Sequence, residues 1–116
     1  MHRSAILLSI AILVGAAAPV PTINGEFAQA MDAAMDRMML RMHVPSTGNV
    51  DRDFVNMMIP HHQGAIDMAV AELRHGSNPQ LKRIAQEIIV EQQQEIAAMR
   101  MAVGDPLPPE KPAPTQ

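Results

Sequence analysis

The chain has no cysteine, no tryptophan and no tyrosine, and only two phenylalanines. Without Cys there is no disulfide frame, no thiolate nucleophile and no thiolate metal centre. There is also no sulfhydryl to carry a lipoprotein's lipid. Without Trp or Tyr there is no ring platform for stacking bases or sugars. Lys and Arg number 9 against 12 Asp and Glu, a formal net charge of −3, and no run of them builds a basic surface. Nucleic acid is therefore not an expected partner. The few Ser and Thr fall in the amino-terminal segment, the turns and the tail, which disfavours nucleophilic catalysis. No internal repeat is visible. What the chain has in excess is methionine, 11 residues of it. Its core must be aliphatic and Met-built, and Met fills gaps well but specifies packing loosely.

At 116 residues the chain holds one domain. Residues 1–17 read as an export signal. Met1-His2-Arg3-Ser4 is a short basic start, Ala5 to Val14 is an apolar run, and Gly15-Ala16-Ala17-Ala18 supplies small residues for cleavage. Cutting after Ala17 avoids leaving Pro19 at the new amino terminus. The run is short for a transmembrane span, and an uncleaved anchor is the alternative. A periplasmic or secreted location is the expectation. There, thioethers suit a soft metal better than thiols, which tend to be oxidised.

Residues 24–104 read as a helical domain and 105–116 as a Pro-rich tail. Helix one is expected from a cap at Asn24 to about His43, with Phe27, Met31, Ala34, Met35, Met38 and Met42 at 3–4 spacing. Val44 to Asn49 is a turn by composition. Helix two is expected from about Asp51 to His75, stopped by Gly76, with Pro60 inside it as a source of kinking. Asn78-Pro79 is a cap followed by Pro at the first helical position, opening helix three to about Val103. The tail carries five prolines from Pro106 to Pro114 and suits an extended, disordered or polyproline conformation. Short loops imply antiparallel neighbours and an all-α helical bundle.

The chemistry concentrates in Met57-Met58-Ile59-Pro60-His61-His62. Residues four apart are neighbours on a helix, so Met57 sits beside His61 and Met58 beside His62. Thioether plus imidazole is a soft-to-borderline set that favours Cu(I), and by extension Ag(I), over Mg, Ca or Mn. Counted from symmetric turns at about 1.5 Å per residue, His61 should face about residue 33 of helix one and about residue 93 of helix three. That would place Met31, Met35 and Met38 on one side, and Gln92, Glu95 and Met99 on the other. Gln92 and Glu95 lie on the apolar stripe of helix three and need a partner there. Gly64 leaves room for a close neighbour. Met38, Met39, Met42 and His43 form a second cluster near the end of helix one. Each Met on these stripes, Met68 included, has ordinary core packing as its plain alternative. A lone His is more often a satisfied core residue than a ligand. His75, at a helix end, also has a role against the helix dipole.

Asp53-Phe54, then Met58-Ile59-Pro60-His61-His62-Gln63-Gly64-Ala65-Ile66, then Met68-Ala69, resembles the bacterial family called domain of unknown function 305. Ile88-Ile89, Gln92, Glu95-Ile96 and Met99 look like that family's second block. The resemblance covers about residues 26–103. The family is similar to exported copper-binding CopM-type proteins built on ferritin-like helical bundles. The resemblance thus implies copper binding through Met and His, with Met58, His61, His62, Met68 and Met99 as motif positions. The aromatic that often closes the second block near Met101-Ala102 is missing here. Two-module members have more than three helices, so a homodimer would complete the bundle in this chain.

Three functions follow as expectations. The first is a non-enzymatic copper protein that buffers or carries Cu(I), in homeostasis or resistance, and passes it to an efflux or delivery partner. The second is an adaptor that docks partners through a Met-rich face. The third is a di-iron enzyme using Glu72-Leu73-Arg74-His75, which needs a second such motif from another copy.

Overall fold

In the computed structural model, the residues described are 25–109. The export signal expected over residues 1–17, the cap expected at Asn24 and the end of the tail, residues 110–116, lie outside them. The protein is all-α: α1 spans Gly25–Met42, α2 Val50–His75 and α3 Pro79–Ala102. No strand occurs among the described residues, and none of their helices is long and apolar enough to cross a membrane.

Each helix boundary has a local cause. Asn49 caps α2, its side-chain oxygen accepting from the Arg52 N–H at 2.9 Å. Asn78 caps α3, accepting from the N–H groups of Gln80 and Leu81, with Pro79 at the first turn. Gly104, at φ +75°, ends α3. Its N–H bonds the Met101 carbonyl and the Asp105 N–H bonds the Arg100 carbonyl, a Schellman closure that only a residue at ease with positive φ completes cheaply. α2 runs unbroken through Pro60.

α1 packs on α2 and α2 on α3, while the backbones of α1 and α3 do not approach each other. The side chains explain why. α2 meets α1 through Gly64, Asp67 and His75. It meets α3 through His62, Ala69 and Leu73. At about 100° per residue those two sets lie on opposite sides of α2. The three helices therefore form a single layer with α2 in the middle. Its core is thin. Ile66, Ala69, Leu73, Ala85, Ile89 and Ile96 cluster in the α2/α3 seam, and among the large side chains of the described residues only Ile89 is fully buried.

The α2/α3 register follows the short turn. His62 lies opposite Glu95, near the expected level of residue 93. Arg52 fixes the far end, donating two bonds to the Asp105 carboxylate at 2.9 and 2.8 Å and one to the Val103 carbonyl at 3.0 Å. The α1/α2 register departs from the expectation. Met38 lies against Gly64 and Arg37 pairs with Asp67 at 3.0 Å. Met42, one turn further on, is thus level with Pro60 and His61. His61 faces the end of α1, about two turns away from residue 33. The cause is residues 43–49, which do not fold back at once. A tight turn would set Met42 against Val50. Reaching the level of Pro60 instead displaces α1 by about 15 Å, a distance that seven residues span when extended. Asp53 holds this strap to α2, accepting from Ser46 Oγ at 2.6 Å and from Thr47 N–H and Oγ1 at 2.7 Å each.

A candidate soft-metal site on the methionine face

The two histidines of the central motif have different surroundings. His62 is largely buried, and both of its ring nitrogens are engaged. Nδ1 lies 2.9 Å from the Met58 carbonyl and Nε2 lies 2.5 Å from Glu95 Oε2. A carbonyl and a carboxylate oxygen are both acceptors, so both bonds form when the pair holds one proton beyond a neutral ring and a free carboxylate. A metal at His62 Nε2 must displace Glu95 from that nitrogen. The Met58 carbonyl has two lone pairs, so it serves the ring as well as the helix. Glu95 is thus the partner of His62, which answers why a carboxylate stands on the apolar stripe of α3. With these two opposite one another, Met58 and Met99, each one turn away, share the next level. Met99 packs against the α2/α3 core cluster.

His61 is exposed, and among the described residues its ring nitrogens have no hydrogen bond; its one ring contact is with His62, centroids 5.9 Å apart. It projects from the layer between α1 and α3. Met57, one turn before it, and Met68, two turns after, share that side of α2 by helical spacing. On α1, Met35, Met38 and Met42 turn to the same side of the layer, while Arg37 turns to the other. The two faces of the layer therefore differ. One presents thioethers and His61, and the other presents residues such as Arg37, Asn56, Gln63, Asp67 and Arg74. Met57 is 46% exposed and Met35 43%, so both side chains are open to solvent. Met38 is half-buried against Gly64. Met39 and His43 are exposed on the outer side of α1 and are not brought to His61.

The twelve candidate residues thus fall into three sets. Met58, His62, Glu95 and Met99 belong to the α2/α3 seam. Met57, His61 and Met68 of α2 share the open face with Met35, Met38 and Met42 of α1. Met39 and His43 stand apart. Among the described residues no three His, Asp or Glu side chains converge as a metal-ligand group. A soft ion here would need thioethers to complete its shell. The Glu72/His75 pair is split: Glu72 lines the trough against Leu81 and Ile84 of α3, while His75 stacks edge-on against Phe27 of α1 at 6.3 Å. Sequence reasoning missed the Arg52–Asp105 tie and the Asp53 strap. Ser46 and Thr47, seven and six residues before an Asp, were the only signal for the second.

The same contacts perturb the acidity of Asp53. The Ser46 hydroxyl first, then the Thr47 hydroxyl and N–H, hold its carboxyl below the ordinary Asp value by bonding its charged form.

A 55-residue stretch is 41% identical to the uncharacterized protein L153 of Acanthamoeba polyphaga mimivirus, covering 47% of this chain and 36% of that relative. The chain thus matches little more than a third of the relative's length. The family described as Domain of unknown function (DUF305) matches residues 14–103, most of the sequence, and the chain belongs to that family.

Proposed function

We propose that this protein binds copper as Cu(I), with Ag(I) as a chemical substitute, and acts outside the cytoplasm as a non-enzymatic buffer or carrier. The observation that carries the proposal is the difference between the two histidines. His62 is tied at both nitrogens, whereas His61 presents an unbonded imidazole beside the open thioether of Met57. Imidazole with thioethers selects Cu(I) among biological cations. His61 and Met57 are the primary ligands in this reading, with Met42 of α1 at the same level. Met58, His62, Glu95 and Met99 position the motif from behind. Met35, Met38 and Met68 extend the thioether face, and Met39 with His43 offers a weaker peripheral site. What the family resemblance implies, a similarity to copper-binding CopM-type proteins, supports this reading, as does the export-like amino terminus.

The test is an anaerobic Cu(I) competition titration against a chromophoric chelator. Nanomolar or tighter binding is the expected result, with His61→Ala weakening it at least tenfold while far-UV circular dichroism is unchanged. His62→Ala should weaken it less, by disturbing the helix behind His61. Equal Cu(I) affinity in wild type and in the double His61/His62→Ala variant would refute the assignment.

A further inference from the structure

The segment 43–49 does more than connect α1 to α2. It ends in a closed knot of hydrogen bonds on the first turns of α2. Asp53 accepts from the Ser46 hydroxyl at 2.6 Å and from the Thr47 hydroxyl and N–H at 2.7 Å each. Both hydroxyl oxygens also accept backbone bonds at 3.2 Å, Ser46 Oγ from the Gly48 N–H and Thr47 Oγ1 from the Asn49 N–H. Gly48, at φ +82°, makes the bend after which Asn49 caps α2. Bonds to a charged carboxylate are stronger than neutral ones, and here one carboxylate gathers three.

The knot anchors one end of the strap, and Met42 stands at the other. At about 100° per residue, Asp53, Pro60, Gly64 and Ala71 share one side of α2, the side that α1 covers. The strap therefore continues along α2 in the row that α1 occupies. Met38 against Gly64 and the Arg37–Asp67 pair hold the middle of α1. Neither holds its last turn, whose carbonyls lack partners within the helix and whose opening costs little. The Met42 carbonyl accepts from the Val44 N–H at 3.0 Å, which joins the end of the helix to the start of the strap.

We infer that Asp53 is a positioning residue for the soft-metal site: by holding Ser46 and Thr47 it keeps the last turn of α1, and with it the Met42 thioether, at the level of His61. The inference rests on the copper reading and deepens it. The site is then a chelate across two helices, with His61 and Met57 supplied by α2 and Met42 by α1. The two donors on α2 are set by helical spacing, whereas the third depends on the strap. Strap and ion are linked reciprocally: whatever the strap adds to Cu(I) affinity, bound Cu(I) adds to the stability of the strap.

The experiment is anaerobic Cu(I) competition titration of the full chain and its variants, with X-ray absorption at the copper edge. Asp53→Ala should weaken Cu(I) binding about tenfold, the low end for losing a residue that orients a ligand. Ser46→Ala with Thr47→Ala should do the same without removing a charge, and decides the matter if Asp53→Ala fails to fold. Both variants should lower the number of sulfurs on copper from two to one, a change that a general loss of stability does not produce. Met42→Ala should weaken binding by the same factor, and adding Asp53→Ala to it should cost nothing further, because the ligand is already gone. Bound Cu(I) should slow amide exchange at Thr47 in the wild type and not in Met42→Ala. Unchanged affinity and sulfur count in the strap variants, or losses at Asp53 and Met42 that add, overturn the inference and leave the copper reading standing. A wild-type chain that binds no Cu(I) ends both.

Discussion

Gly64→Ala tests where α1 sits. At an exposed position inside a helix, Gly to Ala stabilises by about 1 kcal/mol, because Gly surrenders more backbone freedom. At Gly64 the added methyl group would stand 2.6 Å from Met38 Sδ and 3.0 Å from Met38 Cβ and Cγ. The sulfur can swing aside. The Cβ cannot, since it is fixed to the α1 backbone, so α1 must retreat by a few tenths of an ångström. Overpacking of this kind costs about 1–3 kcal/mol. Set against the propensity gain, the net loss is about 1 kcal/mol, or a fall in Tm of about 4–8 °C for a domain this small. Urea denaturation and thermal melts followed by circular dichroism read both quantities. In a Met38→Ala background the clash is gone and Gly64→Ala should stabilise, giving a coupling of about 2 kcal/mol between the sites. If Gly64→Ala stabilises the parent by the full propensity gain, α1 does not lie on Gly64. The register from symmetric turns predicts that result, because it places Ala28 or Ala30 near Gly64 and leaves room for a methyl group. The cycle therefore decides between the two registers.

Other expectations follow from single contacts. Arg52→Ala should cost about 1 kcal/mol in urea unfolding, a modest value for a charge pair in which one guanidinium nitrogen spans both carboxylate oxygens, because both side chains remain about one-third exposed; amide exchange in the last turn of α3 should quicken. Glu95→Gln replaces a charge-assisted bond to His62 by a neutral one, and with Glu95 half-exposed the loss should stay at about 0.5–1 kcal/mol in urea unfolding. The lowered Asp53 carboxyl contributes stability that is present above its unfolded value and is lost as pH falls through its folded one. Amide exchange of Thr47 should therefore speed up in the acid range below the ordinary Asp value, and Asp53→Asn should remove that dependence.

The three helices were legible from local signals alone, because capping residues, Pro at a helix start and 3–4 apolar spacing act within a turn or two of the chain. The sequence also determined the level of α3, since the turn Gly76 to Asn78 is too short to permit another. Gly64 as a point of close approach was legible for the same kind of reason: only a missing side chain admits a neighbouring backbone. Tertiary structure decided the rest. The level of α1 depends on whether Ser46 and Thr47 find Asp53, a contact whose outcome spacing does not contain. The contrast between His61 and His62 depends on which side of α2 each neighbouring helix takes. α1 and α3 occupy opposite sides, so one imidazole is tied to Glu95 and its neighbour is left facing solvent among methionines.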